Sequence, residues 1–197
     1  QTCALPIFNE FGRAGVDGTL LRELDAALDE ISNGSIFCAC RLDQFEAALE
    51  QAAADAPDVV LVEASGLADP TNVRRVLAQF PAVSYQGSVC VADAARLEKV
   101  FSTARACPRQ LAVSSLVLLN KTDLATEAQC AEAKALILRA NPAARIRRTQ
   151  FGRFEPEWLS LIVPDVDVDE VLDMPDITLQ KAVLQIRRSE ERRVGKE

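Results

Sequence analysis

The sequence predicts an α/β domain with a mostly parallel sheet and helices on both faces. Three short, mainly apolar runs, at residues 59–62, 88–92 and 116–119, each lead into an acidic or amide residue. The first run is too short for a helix and lacks the polar alternation of a half-exposed strand, so we predict it at the centre of a parallel sheet. Helix-type segments separate the runs, and this alternation is typical of parallel sheets covered on both faces.

The helices follow from apolar spacing and from capping residues. Asp69 precedes Pro70, a pair typical of a helix start, and Thr126 with Gln129 forms a capping-box pattern. Residues 20–31 have helix-like spacing, but the last of them fit a strand equally well. The predicted helices span residues 43–56, 70–80, 94–106 and 126–139, with a short helix or turn at 109–115 and a last short strand from 145.

Size and charge restrict the class of protein. A chain of 197 residues that is 49% hydrophobic can bury one core but not two large domains. A net charge of -7 argues against nucleic acid and anionic membrane surfaces as partners, because both are bound by clustered Lys and Arg. No apolar run approaches membrane-spanning length and no signal peptide is visible, so we expect a cytoplasmic protein. The six cysteines fit reduced core residues better than a disulfide framework.

The two ends of the chain differ from the rest. Residues 1–7 and 188–197 can be read as translations of the two strands of one sequencing adapter, so we expect residues 8–187 to be the natural part. Within it, residues 8–163 are the expected globular domain. Residues 164–187 are acidic and irregular, which suits a linker towards a further domain.

The end of the first apolar run is a candidate site. Ligands of parallel sheets bind beyond the carboxyl ends of the strands, which is where Glu63 stands. Gly66 follows it, and a missing side chain lets a backbone N–H approach a phosphate oxygen or a bound water closely. The alternative is an ordinary turn with an unremarkable carboxylate.

A more specific candidate is Asn-Lys-Thr-Asp at residues 120–123, after the third run. The Asp123 carboxylate can accept hydrogen bonds from the ring N–H and the exocyclic amine of guanine, and adenine offers no matching pair. A site built on such pairing rejects the wrong base by roughly 10⁴-fold. Asn120 would tie the loop together, and the Lys121 stem could lie over the base. The alternative is a solvated turn.

With both strand ends in view, the chain resembles the CobW/HypB/UreG family of P-loop GTPases, most closely its CobW-like branch. The resemblance covers about residues 8–150 and implies a P-loop NTPase fold of the SIMIBI type, truncated at its N-terminus. The matching segments stand in the family's order: Asn-Glu-Phe-Gly at 9–12 with Gly-Val-Asp-Gly at 15–18, Ser-Asn-Gly at 32–34, Glu-Ala-Ser-Gly-Leu-Ala-Asp-Pro at 63–70 and Asn-Lys-Thr-Asp at 120–123.

The resemblance implies a GTPase that couples GTP hydrolysis to insertion or delivery of a metal or metal cofactor into a client protein. It implies GTP and Mg²⁺ as cofactors, zinc, cobalt or a corrinoid as cargo, and it admits a homodimer. Glu63 would act on Mg²⁺ or its water shell, and Gly66 would meet the γ-phosphate. Glu10 and Asp17 lie in a loop expected to change with the nucleotide. The implied guanine readers are Asn120, Lys121 and Asp123.

Two departures from the family pattern change what we expect of this chain. The sequence contains no Gly-x-x-x-x-Gly-Lys-Ser/Thr segment, so we predict negligible GTPase activity for these residues as they stand. In the family's Gly-Cys-x-Cys-Cys metal motif, Ser35 and Phe37 replace two cysteines, Cys38 is kept and Cys40 is extra. Two thiolates one residue apart could hold a soft metal with Glu10, or they could be buried thiols.

Two other classes of protein compete with the GTPase. The first is a non-catalytic module that binds guanine nucleotide or a partner. The second is a P-loop kinase-like enzyme, and the 120–123 segment argues against it because a kinase does not need a guanine-reading carboxylate.

Overall fold

A computed structural model describes residues 4–10, 29–32, 42–64, 66 and 68–164. In these residues the strands are β1 Ala4–Glu10, β2 Asp29–Ser32, β3 Val59–Glu63, β4 Val89–Asp93, β5 Leu116–Asn120 and β6 Arg145–Arg148. The α-helices are α1 Leu42–Asp55, α2 Val73–Leu77, α3 Leu97–Thr103, α4 Ala106–Ala112 and α5 Glu127–Ala140. Short 3₁₀ helices cover Pro70–Asn72 and Pro156–Leu161.

All pairs among the described strands are parallel, which confirms the predicted fold class. The strands form two sheets of three, in the orders β2-β1-β3 and β4-β5-β6. In the first sheet Phe8 pairs with Glu63, and in the second Asp93 pairs with Asn120. The polar residues that end β3, β4 and β5 therefore lie at the carboxyl edges of their sheets.

The prediction that β3 is a central strand is wrong for the described residues. β3 pairs with β1 on one side, and no described strand pairs with its other side. Leu61 is 57% exposed on β3, and Val91 is 60% exposed on β4, whose outer side is likewise unpaired among the described residues. The outer strand β6 carries arginines instead, at Arg145, Arg147 and Arg148. Charged side chains protect natural sheet edges, so β3 and β4 have the composition of interior strands.

The core lies mainly in the second sheet. α5 packs with α3 and α4 beside β5 and buries Leu97, Leu111, Leu119 and Ile137. A smaller cluster joins α1 to α2 through Phe45, Leu49, Ala52 and Val76. These contacts place the carboxyl ends of β4 and β5 on a rigid base.

The described cysteines are core residues, as predicted. Cys107 and Cys130 are buried and Cys90 is half-buried, and all three are free thiols. Burial, followed by the nearby Cys107, raises the pKa of Cys90 to about 12, and burial raises the pKa of Cys107 to about 11. Both thiols therefore stay protonated near neutral pH.

Several element boundaries differ from prediction. The helix predicted at 70–80 is a 3₁₀ turn followed by α2, which ends at Leu77. The next helix begins at Leu97 instead of residue 94, because Asp93 Oδ1 accepts the Ala95 N–H and residues 94–96 form a turn.

Two earlier segments also differ in detail from the prediction. Residues 29–32 form strand β2, which resolves the ambiguous end of the 20–31 segment. α1 starts at Leu42, so Asp43 lies in its first turn and does not precede it.

Two further observations bear on the predicted organisation. β1 includes residues 4–7, which belong to the N-terminal stretch predicted above to be derived from an adapter. Backbone pairing does not depend on the origin of the codons, so that origin stays a prediction. None of the helices in the described part of the chain combines the length and the apolarity that a bilayer crossing requires.

Candidate nucleotide site

The carboxyl ends of β4 and β5 support a loop at residues 120–123, which we call the 120–123 loop. Asp93 and Asn120 are register partners, and the Ala94 N–H donates to the Asn120 carbonyl oxygen at 2.9 Å. Four consecutive pairs of β4 and β5 precede the Asp93–Asn120 pair. The loop therefore leaves the sheet from a fixed position.

A second loop, at residues 149–153, holds the 120–123 loop from the side of β6. The Gly152 N–H donates to Asn120 Oδ1 at 3.1 Å. The Thr122 N–H and hydroxyl both donate to the Thr149 carbonyl oxygen, at 3.3 and 3.1 Å. Thr149 is buried, and its hydroxyl donates to the Arg153 carbonyl oxygen at 2.6 Å. Asn120 is thus engaged within the protein, as a loop-tying residue would be.

Lys121 is fixed by its backbone and by its charge. It has a left-handed φ of 58°, which is uncommon for a residue other than glycine. Its Nζ donates to Asp93 Oδ2 at 2.9 Å. Partial burial acts to raise the pKa of Asp93, but the Lys121 and Ala95 hydrogen bonds and the charges of Lys121 and Arg96 outweigh it and lower that pKa. The Lys121 ammonium is therefore held by Asp93.

Asp123 differs from its neighbours in the loop. It is exposed and forms no hydrogen bond or ion pair with any other described residue. The residues before it are anchored at Gly152, Asp93 and Thr149. The arrangement presents a carboxylate with free acceptor oxygens at the end of a rigid loop, which suits a ligand with two adjacent N–H donors.

Replacing Asp93 with Asn is expected to lower the free energy of unfolding by about 0.5–1 kcal/mol at pH 7, since the pair with half-exposed Lys121 is partly screened. The amide oxygen can still accept the Ala95 N–H. Because folding lowers the pKa of Asp93 below its ordinary 3.8, its contribution is complete above that value and is lost as pH falls through the lower folded value.

Urea unfolding of both proteins between pH 7 and pH 2 checks this expectation. The difference in stability should be constant from pH 7 to about pH 5 and should shrink steadily below about pH 4. A difference that stays unchanged at pH 2 would contradict the role assigned to the Lys121 ion pair.

The loop after β3 is a second candidate region. Glu63 ends β3 and is exposed, and Asp69 caps the following turn by accepting the Thr71 N–H at 3.1 Å. A Cβ built on Gly66 would meet nothing within 4 Å, and its φ lies outside the left-handed region. Nothing in the described residues therefore requires glycine at this position.

Helix α4, which packs in the core of the second sheet, also contacts the loop after β3 in the first sheet. Gln110 Nε2 donates to the carbonyl oxygens of Gly66 and Ala68, at 3.1 and 2.8 Å. The neighbouring Arg109 forms an ion pair with Asp69. Sequence reasoning missed Arg109 and Gln110, because no local pattern marks a partner 40 residues or more away in the chain.

Other predicted site residues are only partly placed. The backbone of Glu10 ends β1, two residues beyond the Phe8 that pairs with Glu63, so both acidic residues lie at one sheet edge. Asp17, Cys38 and Cys40 lie outside the described residues. In the part of the chain that the structure describes, no group of three His, Cys, Asp or Glu residues could hold a metal ion.

Sequence reasoning also missed the 149–153 loop. Thr149 and Gly152 make the contacts that fix the 120–123 loop, yet neither belongs to a motif recognised in the sequence. One signal in the sequence could have indicated this loop. Gly152 stands four residues after the end of β6, and a glycine there indicates a turn at the carboxyl edge of the sheet that contains β5.

Comparison with known proteins identifies the family to which this chain is similar. The model of the CobW/HypB/UreG nucleotide-binding domain matches residues 4–148. Zinc chaperone YeiR of Escherichia coli strain K12 is 30% identical over 124 residues, which are 61% of this chain and 38% of that protein. The chain thus spans well under half the length of this relative.

Two solved structures support the fold. The Zn(II)-bound YjiA GTPase from E. coli has a TM-score of 0.56 at 15% identity, with 87% of this chain and 68% of that chain covered. HypB from Helicobacter pylori in complex with nickel has a TM-score of 0.53 at 14% identity, with 81% and 70% covered. At such identities these likenesses establish the fold alone. The match of the domain model to most of the chain establishes more: this chain belongs to the CobW/HypB/UreG family, through its nucleotide-binding domain.

Proposed function

We propose that this chain is the nucleotide-binding part of a cytoplasmic GTPase that couples GTP hydrolysis to delivery of a metal or metal cofactor to a client protein. The observation that carries the proposal is the anchored 120–123 loop with its free Asp123 carboxylate. The three residues before Asp123 are already engaged with Gly152, Asp93 and Thr149. Asp123 alone among the four is left for a ligand within the described structure.

Guanine matches that carboxylate better than adenine does. The N1–H and the 2-amino group of guanine are adjacent donors, and one carboxylate accepts both. Adenine places an acceptor nitrogen at N1, which would face the negative carboxylate and leave it unpaired. Because the loop is fixed before binding, little conformational entropy is lost on recognition. These points favour a guanine nucleotide.

The phosphate part of the proposed site involves the loop after β3. Gly66 would face the γ-phosphate, since its surroundings leave room there, and Gln110 would hold the backbone in place. Glu63 offers a carboxylate oxygen, the donor type that Mg²⁺ prefers. Mg²⁺ would neutralise phosphate charge when bound. The hydroxyl ligand that a P-loop provides has no counterpart in this sequence.

We assign the missing P-loop strand to the space beside β3 and β4. Both strands present apolar side chains at unpaired edges within the described structure, including Leu61 and Val91. A parallel strand lying between them would pair with both edges and cover those side chains. The Gly-x-x-x-x-Gly-Lys-Ser/Thr loop would follow that strand at the carboxyl edge. Without it, the 197 residues are proposed to be inactive in GTP hydrolysis.

The proposed cargo is a soft or borderline metal, Zn²⁺ or Co²⁺. The similarity to a protein named as a zinc chaperone favours Zn²⁺. Cys38 and Cys40 would supply thiolate ligands, with Glu10 as a further donor. A corrinoid cargo and a homodimer rest on the family resemblance alone.

A nuclear magnetic resonance titration of the ¹⁵N-labelled chain with GMP and with AMP tests the nucleotide assignment. GMP is expected to bind with a Kd of about 1 mM, weak because no phosphate loop is present, and to shift the amide signals of Asn120, Thr122 and Asp123. AMP should leave these signals in place. Equal shifts with both nucleotides, or none with GMP, would contradict the proposal.

The second candidate is a non-catalytic module that keeps the guanine-reading loop. The absence of a P-loop motif from the sequence favours it. Both candidates predict the same result in the GMP titration. They differ in a longer protein that carries a P-loop, in which the first candidate predicts GTP hydrolysis and the second predicts none.

A further inference from the structure

Phe151 has two unusual properties at once. It is 90% exposed, and its φ of 54° lies in the left-handed region, which is unfavourable for a bulky residue. The described residues other than glycine with positive φ are Ala56, Lys121 and Phe151. Two of these three thus belong to the paired 120–123 and 149–153 loops. Strained backbone of this kind concentrates where a protein binds ligands.

The position of Phe151 is fixed on both sides. Two residues before it, the Thr149 carbonyl oxygen accepts two hydrogen bonds from Thr122. The residue after it, Gly152, donates its N–H to the Asn120 side chain at 3.1 Å. Phe151 therefore lies in a short span of chain tied at both ends to the loop that carries Asp123.

Phe151 does not contribute to packing in the described structure. Phe154 and Trp158 form the nearest aromatic pair in sequence, edge to face with centroids 5.6 Å apart, and Phe151 is not part of it. A side chain that is 90% exposed buries almost no apolar surface. Stability alone would favour glycine or asparagine at this φ. The ring therefore needs a reason other than folding.

We propose that Phe151 is an aromatic wall of the base site, on which the purine stacks while its edge meets Asp123. This inference rests on the proposed function, since it deepens the same site. Stacking on an aromatic ring is available to every base, so Phe151 supplies affinity and Asp123 supplies the choice of guanine. Removal of the ring should weaken GMP and any competing purine nucleotide by the same factor.

The variant Phe151→Gly tests this division of roles. Glycine adopts the left-handed φ without strain, so the thermal midpoint should stay the same or rise. GMP affinity should fall about tenfold through loss of stacking. The upfield ring-current shift of the GMP H8 proton on binding should disappear. Phe151→Trp keeps an aromatic ring at this position and should therefore retain both the GMP affinity and the H8 shift. Leu159→Ala removes another exposed apolar side chain and should change neither quantity.

The outcomes separate this inference from the proposed function. If Phe151→Gly binds GMP like the natural chain while Asp123→Asn does not, Phe151 is no part of the base site and the guanine assignment stands. If the natural chain fails to prefer GMP over AMP, both are wrong. A clear fall in the thermal midpoint of Phe151→Gly would show that the ring has a folding role, which overturns the inference.

Discussion

Replacing Asp123 with Asn is expected to change the base preference of the chain from guanine to xanthine. The carboxylate accepts two hydrogen bonds, from guanine N1–H and the 2-amino group. An asparagine side chain accepts one and donates one, which matches the N1–H and the 2-oxo group of xanthine. GMP affinity should fall on the order of 10²-fold, because the asparagine N–H₂ then faces the guanine amine. XMP should bind the variant about as well as GMP binds the natural chain.

Titration of both proteins with GMP and XMP measures the change. Asp123 has no partner among the described residues, so the substitution should leave the thermal midpoint unchanged. Glu132→Gln is the matched control: it removes one exposed carboxylate from α5, and both affinities should stay the same. Loss of GMP binding without gain of XMP binding would mean that Asp123 acts through charge alone, against the pairing proposed here.

The part of this site that the sequence predicts is the part that lies within one short segment. Asn120 and Asp123 stand three residues apart on a loop that a single strand delivers, so their side-chain types already define the chemistry. The partner of Lys121 was not predicted, because only the folded structure shows that parallel pairing of β4 with β5 brings Asp93 beside Asn120.

The contacts of Gln110 and Gly152 could not be predicted in this way. Each depends on how a loop closes onto an element more than 30 residues away in the chain. Turn residues identify a loop, but they do not say which carbonyl oxygen or amide it will meet. Phe151 was missed for a related reason, because its exposure and its left-handed φ are properties of the folded backbone.

Strand β3 shows how the composition of a strand and its position among the described strands can differ. The run at 59–62 has the composition of a strand with neighbours on both sides, and the described structure provides one neighbour. Composition reflects the surroundings for which a strand is suited, whereas position depends on every other strand that is present. The arginines of β6 mark an outer edge, and the apolar edges of β3 and β4 do not.

The largest effect on catalysis is expected at Gly66, in a longer protein in which a P-loop precedes these residues, as the proposed function requires. The 197-residue chain should show no GTP hydrolysis above background, and the longer protein should hydrolyse GTP if the upstream sequence provides a P-loop. In that longer protein the methyl group of Gly66→Ala should hold the γ-phosphate away from the backbone N–H. The loss of one such phosphate-stabilising contact should lower kcat about 10²-fold. The same substitution in the 197-residue chain should leave the thermal midpoint unchanged, because the added Cβ meets nothing within 4 Å in the described structure.

Gly87→Ala is the matched control, since it places the same methyl group where the fold opposes it. Gly87 has φ +141°, and a Cβ there would lie 2.7 Å from both Ile162 Cγ2 and the Val163 carbonyl oxygen. We expect a loss of about 2–3 kcal/mol in the free energy of unfolding, a fall of roughly 5–10 °C in thermal midpoint, and an unchanged kcat below that midpoint. If Gly66→Ala instead lowers the midpoint and spares kcat, Gly66 serves the fold, and the γ-phosphate must be met by another residue.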